Sequence, residues 1–171
     1  MTKKILASVT VLLFAALLGY RVVAAGNDTQ TRDQDRAQIE KLMWNYDRTL
    51  ESGNIDAYVS LYTPDGQFGT GANAAKGRDA LKKMLAGLKK SRDEAVAKGQ
   101  IRLPVYIMDF SSYLEFTDRD HARMKGYWQE VTPETGPNAP ASIVAAGRFV
   151  QEFARENGKW LIKLRDVAAK D

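Results

Sequence analysis

Tyr46 and Asp47 are adjacent side chains whose types suit proton transfer. Tyr46 belongs to an apolar stripe with Ile39, Met43 and Leu50, and Asp47 follows Met43 by four residues, so that it borders the same stripe. A carboxylate that loses hydration in such surroundings has a raised pKa and can act as a general base. The alternative is that Asp47 lies at the rim and binds arginine or backbone donors, while Tyr46 only packs in the core.

Apolar residues at steps of three and four predict three helices in the first 100 residues. The first runs over about 33–53, with acidic residues in its first turn and glycine at its end. Asn54 caps a short second helix, which carries Tyr58 and Tyr62 on one face. The third runs over about 78–98. These helices would position the tyrosines and the aspartate on one side of the domain.

Beyond residue 100 the apolar period changes from 3.6 to 2, which predicts long strands. A short strand is also predicted earlier in the chain: residues 63–66 have the composition of a tight turn, and Gln67 begins the strand after them. Four longer strands are predicted at 101–116, 121–131, 142–155 and 159–167. Helices followed by an antiparallel meander predict an α+β fold, with three helices packed on one face of a curved antiparallel sheet.

Strand alternation assigns the residues of the first long strand to two faces. The more apolar face is predicted to lie inside and contains Tyr106, Met108, Phe110, Ser112, Leu114 and Phe116. The opposite face is predicted to lie outside and contains Val105, Ile107, Asp109, Ser111, Tyr113 and Glu115. The same alternation predicts Trp128 and Glu130 on the second strand, and Phe149 and Gln151 on the third, as inward-facing.

Four segments resemble the SnoaL-like branch of the NTF2-like superfamily: the Tyr-Asp pair, SGNIDAYVSLYTPDGQF, KGRDAL and the C-terminal AAGRFVQEFARENGKWLIKLRDV. The resemblance covers roughly residues 33–168. It implies a cone in which the sheet wraps around the helices and leaves a mostly apolar internal pocket. Proteins of this superfamily include dehydratases, isomerases, cyclases, ligand binders and assembly domains, so the shared fold implies a pocket rather than a reaction.

The resemblance also implies roles for individual residues. Asp47 would be the base, and Tyr46 or Tyr62 would donate to a developing oxyanion. The histidine of similar enzymes falls at Met108, whose thioether cannot transfer protons but adapts well to an apolar pocket. The predicted ligand-binding residues are Tyr106, Met108, Phe110, Trp128, Phe149, Gln151 and Arg165. Arg165 could instead pair with Asp47 or form a salt bridge at an exposed strand end.

The composition excludes several other chemistries. The chain has no cysteine, which excludes disulfides and thiol catalysis, and its single histidine, His121, is predicted to face solvent. We therefore expect no metal and no cofactor. The ligand would be a small apolar or aromatic molecule, and the reaction a cofactor-free dehydration or isomerisation. The alternatives are non-catalytic ligand binding in the cell envelope and a homodimeric interaction domain, whose outer sheet face would present Val105, Ile107 and Tyr113.

The N-terminus has the order of a secretory signal peptide. Two lysines precede an apolar run over 5–18, which is shorter than the ~20 residues of a membrane-spanning helix. Cleavage is predicted after Ala25, followed by a polar tether at 26–32 and the domain at 33–171. The alternative is an uncleaved anchor. Cleavage would leave 22 of the 25 basic residues against 21 acidic ones, so the formal net charge falls from +4 to +1. This balance argues against nucleic-acid binding and favours a periplasmic or secreted protein without stable membrane insertion.

Overall fold

The computed structural model describes residues 31–100 and 103–169. Its contacts divide the chain into two units, 1–38 and 39–171. In the first unit the described residues are helical, and Arg32 forms an ion pair of 3.7 Å with Asp35. The predicted signal peptide and most of the tether lie outside the described residues. Within the described ranges, no helix combines the length and the apolar character needed to cross a membrane.

The described residues contain three α-helices, as the apolar spacing predicts. Helix α1 is described over 31–52, so residues 31 and 32, predicted as the end of the tether, are already helical. It ends at Gly53, whose φ of +66° is readily adopted by a residue without a side chain. Asn54 then caps helix α2 (Ile55–Ser60), because its Oδ1 accepts a hydrogen bond from the third backbone N–H beyond it at 3.1 Å. Helix α3 spans Arg78–Ala97.

Six strands form one curved sheet in the order β2-β1-β6-β5-β4-β3. The strands are β1 (Tyr62–Phe68), β2 (Ala75–Lys76), β3 (Tyr106–Phe116), β4 (His121–Thr132), β5 (Ser142–Glu156) and β6 (Lys159–Asp166). Strands β3 to β6 are antiparallel neighbours, as predicted. The sheet as a whole is mixed, because β1 pairs with β6 in parallel. The α+β fold class is confirmed, and the prediction of a wholly antiparallel sheet is wrong at β1.

The predicted turn at 63–66 is instead part of β1. The strand is irregular between Tyr62 and Gln67, so these residues stay in the sheet without a regular register. Gly66 lies at the tightest point, where an added Cβ would be 2.9 Å from the Cβ of Tyr62 and 3.0 Å from the carbonyl oxygen of Ile162. An irregular stretch of strand with a glycine at the close approach therefore replaces the predicted turn. Tyr62 accordingly begins a strand and does not end a helix.

Strand β3 contains a β-bulge, which changes the face of half of its side chains. Ser111 and Ser112 together oppose the single residue Gly126 of β4, and Ser111 has a φ of +48°. Before this point the inward side chains are Val105, Ile107 and Asp109, the reverse of the prediction. After it they are Leu114 and Phe116, as predicted. One extra residue shifts a period of two by one place, so the prediction is wrong before the bulge and at Ser112 within it, which is exposed, and right after it.

The hydrophobic core joins the three helices to the inner face of the sheet. Leu81 and Leu85 of α3 and Tyr46 of α1 pack with Phe153 of β5 and Ile162 of β6. All five side chains are buried. Each buried apolar side chain contributes about 1.5–3 kcal/mol to folding, so this contiguous cluster fixes the helices on the sheet and positions the polar groups among them.

Candidate functional site

A buried arginine forms the centre of the candidate site. Arg165 is 1% exposed, and its guanidinium donates two hydrogen bonds to the carboxylate of Asp109, at 2.9 and 2.8 Å. It donates a third to Oε1 of Gln151 at 2.7 Å. The guanidinium lies between two aromatic rings, 4.7 Å from the ring centroid of Tyr46 and 4.2 Å from that of Phe149. The cation is therefore held by a bidentate ion pair and two ring faces.

Four elements supply these groups, and their pairing sets the geometry. Gln151 of β5 is directly opposite Arg165 of β6 in the antiparallel ladder, so the two side chains project side by side. Asp109 reaches the arginine from β3, because the bulge turns it inward. Burial alone would lower the pKa of Arg165, but its electrostatic interactions with Tyr46 and Asp109 and its hydrogen bonds to Asp109 outweigh that effect and raise the pKa. The guanidinium is thus a permanent positive charge inside the domain.

Three tyrosines form a second part of the site. The hydroxyls of Tyr58 and Tyr62 are 2.8 Å apart, and the ring of Tyr46 packs against that of Tyr58. Adjacent rings are in contact, with centroids 5.3 and 5.2 Å apart. Burial raises the pKa of each phenol above its ordinary value of 10. All three hydroxyls therefore keep their protons at neutral pH and can act as hydrogen-bond donors.

Asp47 has a pKa close to neutral pH. Burial raises the pKa of its carboxyl group to about 7, repulsion from Asp109 adds to the effect, and Arg165 partly offsets it. Its Oδ1 is buried and has no hydrogen-bond partner among the described residues. A buried acceptor without a partner is uncommon in folded proteins and indicates a position that something else can occupy. At neutral pH the group can both release and accept a proton.

The predicted ligand residues of β3 lie on the other face of the sheet. Tyr106, Met108 and Phe110 are 42%, 39% and 43% exposed, so they do not line the interior. The extra residue at the bulge is the reason, since it reverses the alternation of the strand before it. Trp128 is partly buried against the core, and its Nε1–H donates to the carbonyl of Val167 at 3.0 Å. Phe149, Gln151 and Arg165 do lie inside, where Arg165 contacts both of the others.

Sequence reasoning missed two acidic groups of this region. Asp109 was predicted to face outward, yet it is the ion-pair partner of Arg165. Glu51, one helical turn after Asp47, accepts a hydrogen bond from the backbone N–H of Ile107 at 2.9 Å. The signal for Asp109 was the predicted inward position of Arg165, because a buried cation requires a buried counter-charge.

Glu130, predicted as a polar group of the cavity, is instead partly exposed. It forms an ion pair of 3.4 Å with Arg92 of α3. The pair links the C-terminal half of the helix to β4. Glu130 therefore connects helix α3 to strand β4.

Comparison with known proteins agrees with this geometry. The family profile of the SnoaL-like domain matches residues 31–166. The chain belongs to the SnoaL-like family. Its fold is NTF2-like. The comparison with curated proteins finds no match.

Solved structures show the same fold at low sequence identity. An NTF2-like protein with a cystatin-like fold from Novosphingobium aromaticivorans has a TM-score of 0.67 and 20% identity, over 83% of this SnoaL-like chain and 86% of its own. A putative scytalone dehydratase from the same organism has a TM-score of 0.62 and 22% identity, over 81% and 85%. A Catenulispora acidiphila protein in complex with S-DNPA has a TM-score of 0.58 and 18% identity, over 78% and 91%. At these identities the likeness establishes the fold alone.

Proposed function

We propose that this SnoaL-like domain binds a small, largely apolar molecule beside Asp47 and transfers a proton without a cofactor. Asp47 is the general base, and Tyr46 is the donor nearest to it in sequence. The single observation that carries the proposal is the buried Oδ1 of Asp47, which lacks a partner on a carboxyl group whose pKa is about 7. A base with this pKa is half ionised at neutral pH, where proton transfer in both directions is fastest.

The neighbouring charges support the proposal. Arg165 provides a fixed positive charge, and Asp109 compensates it. Proton abstraction next to a carbonyl group places negative charge on the carbonyl oxygen, and a buried phenol donor such as Tyr46 stabilises that charge. The hydroxyl of Tyr62, the other predicted donor, is already hydrogen-bonded to the hydroxyl of Tyr58. In this scheme Tyr62 therefore acts indirectly, by polarising the hydroxyl of Tyr58.

The test is hydrogen–deuterium exchange at the carbon next to the carbonyl group. NMR measures its rate for a panel of small cyclic ketones such as cyclohexanone and 1-tetralone. We expect exchange to rise with pH through an apparent pKa of about 7. Asp47→Asn should lower the rate about 100-fold or more. Asp93→Asn is the matched control, because Asp93 is an exposed aspartate of α3 paired with Lys89. An exchange rate unchanged by Asp47→Asn would refute the role of this carboxylate.

Native mass spectrometry of the purified protein separates catalysis from binding. A retained small molecule without exchange of any ketone would assign the domain to non-catalytic ligand binding in the cell envelope. Export itself is inferred from the N-terminal residues alone. The intact mass of the mature protein checks it, since cleavage after Ala25 removes a defined segment.

We also propose a homodimer through the outer face of the sheet. The exposed apolar side chains there are Tyr106, Met108, Phe110, Tyr127 and Ile143 on neighbouring strands. These residues replace the pair Val105 and Ile107, which are buried and unavailable. Contiguous exposed apolar surface favours association. Sedimentation velocity should show a dimer that Met108→Lys dissociates, whereas a monomer at all accessible concentrations would refute the dimer.

A further inference from the structure

The guanidinium of Arg165 has hydrogen-bond donors that its partners do not use. A guanidinium carries five N–H donors in a fixed planar arrangement. The two hydrogens on Nη1 are donated to Asp109 and Gln151, and one hydrogen on Nη2 is donated to Asp109. Nε is buried and has no hydrogen-bond partner among residues 31–100 and 103–169. Two donors, Nε–H and the second hydrogen on Nη2, therefore remain unpaired in that part of the chain.

These two hydrogens lie on one edge of the guanidinium. The edge between Nη1 and Nη2 holds the carboxylate of Asp109. The second hydrogen on Nη2 points away from that edge and is parallel to Nε–H, so the two together can bind an oxygen ligand from the side. Because Arg165 is 1% exposed, bulk water does not solvate this Nε edge. A buried donor without a partner costs free energy, which a bound oxygen atom would recover.

A buried acceptor without a partner accompanies the Nε edge. It is Oδ1 of Asp47, a residue that interacts electrostatically with Arg165. Asp47 directly follows Tyr46, whose ring centroid is 4.7 Å from the guanidinium. A ligand that has an acceptor oxygen next to a removable hydrogen would satisfy both groups. Asp47 as a whole is only partly buried, so the cluster borders the surface at this residue, and a ligand can approach from there.

The charges of the cluster favour an uncharged ligand. Arg165 is the buried cation, and the ion pair with Asp109 at 2.8 Å already compensates it. Asp47 adds a second negative charge when it is ionised. A ligand carboxylate would bring one more anion to a buried cation that is already compensated, which is unfavourable at a low dielectric constant. A carbonyl oxygen accepts the same hydrogen bonds without adding a net charge.

We propose that the Nε edge of Arg165 binds the carbonyl oxygen of an uncharged ketone, whose adjacent carbon lies against Asp47. This inference deepens the proposed proton transfer and rests on it for the position of the ligand. Arg165 is then a catalytic residue that selects uncharged carbonyl compounds over carboxylates. A carbonyl oxygen has two lone pairs, so Arg165 adds to Tyr46 as a donor and does not replace it.

The proton transfer conserves the charge of the cluster. Asp47 takes the proton as the C–H bond breaks, and the electron pair of that bond forms the C=C bond of the enolate. The π electron pair of the carbonyl group moves to its oxygen. The negative charge thus passes from Asp47 to an oxygen held by Arg165, where a preorganised cation stabilises it.

The experiment observes the Nε–H signal of Arg165 in ¹H–¹⁵N NMR spectra of the chain labelled with ¹⁵N-arginine. Nuclear Overhauser contacts to the rings of Tyr46 and Phe149 identify this signal, because the guanidinium lies between them. The probes are cyclohexanone, 1-tetralone, tetralin, which lacks the oxygen, and 1,2,3,4-tetrahydro-1-naphthoate, which carries a charge. We expect saturable shifts of the signal with the two ketones and none with tetralin. The carboxylate should bind at least about fivefold more weakly than 1-tetralone above neutral pH, where Asp47 is ionised.

A conservative variant tests the edge itself. Arg165→Lys keeps a positive charge for Asp109 but removes the Nε edge, and it should weaken the binding of 1-tetralone about tenfold. Arg119→Lys is the matched control, because Arg119 is exposed in the turn between β3 and β4, and it should leave the affinity unchanged. The Nε–H signal of the native chain gives the answer even if Arg165→Lys does not fold.

Four results would overturn the carbonyl site. These are an Nε–H signal that neither ketone moves up to about 10 mM, an equal shift with tetralin, a carboxylate that binds as tightly as 1-tetralone, and an unchanged affinity in Arg165→Lys. Deuterium exchange separates this site from the proton transfer. Exchange that depends on Asp47 without a shift of the Nε–H signal would retain the transfer and reject the role of Arg165. A shift without exchange would retain the carbonyl site and reject the transfer.

Discussion

The raised pKa of Asp47 predicts a measurable dependence of stability on pH. In the unfolded chain an aspartate titrates near 3.8, and in the folded domain burial moves the pKa of Asp47 to about 7. Between these values the folded state holds a proton that the unfolded state has released. The contribution of Asp47 is fully present below pH 3.8. It declines as pH rises and is lost by about pH 7.

The magnitude follows from the size of the shift. One pKa unit corresponds to ~1.4 kcal/mol, so a shift of about three units sets an upper limit of about 4 kcal/mol. Asp47 is only partly buried, and solvent screening reduces this to about 2 kcal/mol. Asp47→Asn removes the titration. The difference in unfolding free energy between the native chain and this variant should therefore fall by about 2 kcal/mol from pH 4 to pH 8.

The assay is urea denaturation of both proteins at half-unit pH steps. Any fixed cost of burying the new amide is the same at every pH and cancels in the slope. Asp118→Asn provides a control of opposite sign. Hydrogen bonds from the backbone of Asp120 and from His121 lower the pKa of Asp118, so its contribution is lost as pH falls below the ordinary aspartate range. A difference for Asp47→Asn that stays flat within ~0.5 kcal/mol would refute the buried-carboxylate reasoning.

Four further substitutions test the geometry. Ile107→Lys places a charge in the core and should lower the unfolding free energy by about 3 kcal/mol or more, as urea denaturation would show. Met108→Lys should change it by less than about 0.5 kcal/mol when both proteins are compared at a concentration at which the native chain is monomeric. Arg165→Met leaves its carboxylate partner uncompensated and should cost about 3–5 kcal/mol in the same assay. Gly126→Ala would bring a Cβ to 2.9 Å from the ring of Phe149 and should lower stability by about 1–3 kcal/mol; near-ultraviolet circular dichroism would report the shifted ring. Equal effects of the two lysine variants would contradict the bulge, and unchanged stability of the other two would contradict the packing around the arginine.

The elements of the fold could be predicted from local patterns. Helix α3 and strands β4, β5 and β6 have boundaries within one residue of those predicted, because apolar spacing and strong turn residues define them, whereas β3 begins at Tyr106 and not at 101. The Asn157-Gly158 hairpin is an example, with φ values of +51° and +77° at its two central residues. The parallel pairing of β1 with β6 has no such local signal, because it joins segments about 100 residues apart.

The interior of the site was harder to predict, for a physical reason. Both faces of β3 are apolar before the bulge, with Val105 and Ile107 on one side and Met108 and Phe110 on the other. The bulge itself falls at two serines, which carry no conformational preference as clear as that of glycine. Side-chain composition could not decide which face was buried. The requirement of Arg165 for a counter-charge could have done so.

The bulge at Ser111 also makes the strand sensitive to length rather than to side-chain identity. Deleting one serine there would reverse the two faces of the preceding half of β3. The side chains of Tyr106, Met108 and Phe110 would then face inward, and Asp109 would face outward. A gain or loss of a single codon could thus replace a charged group in the interior with apolar side chains. Relatives that differ by one residue at this site would be expected to accept different molecules.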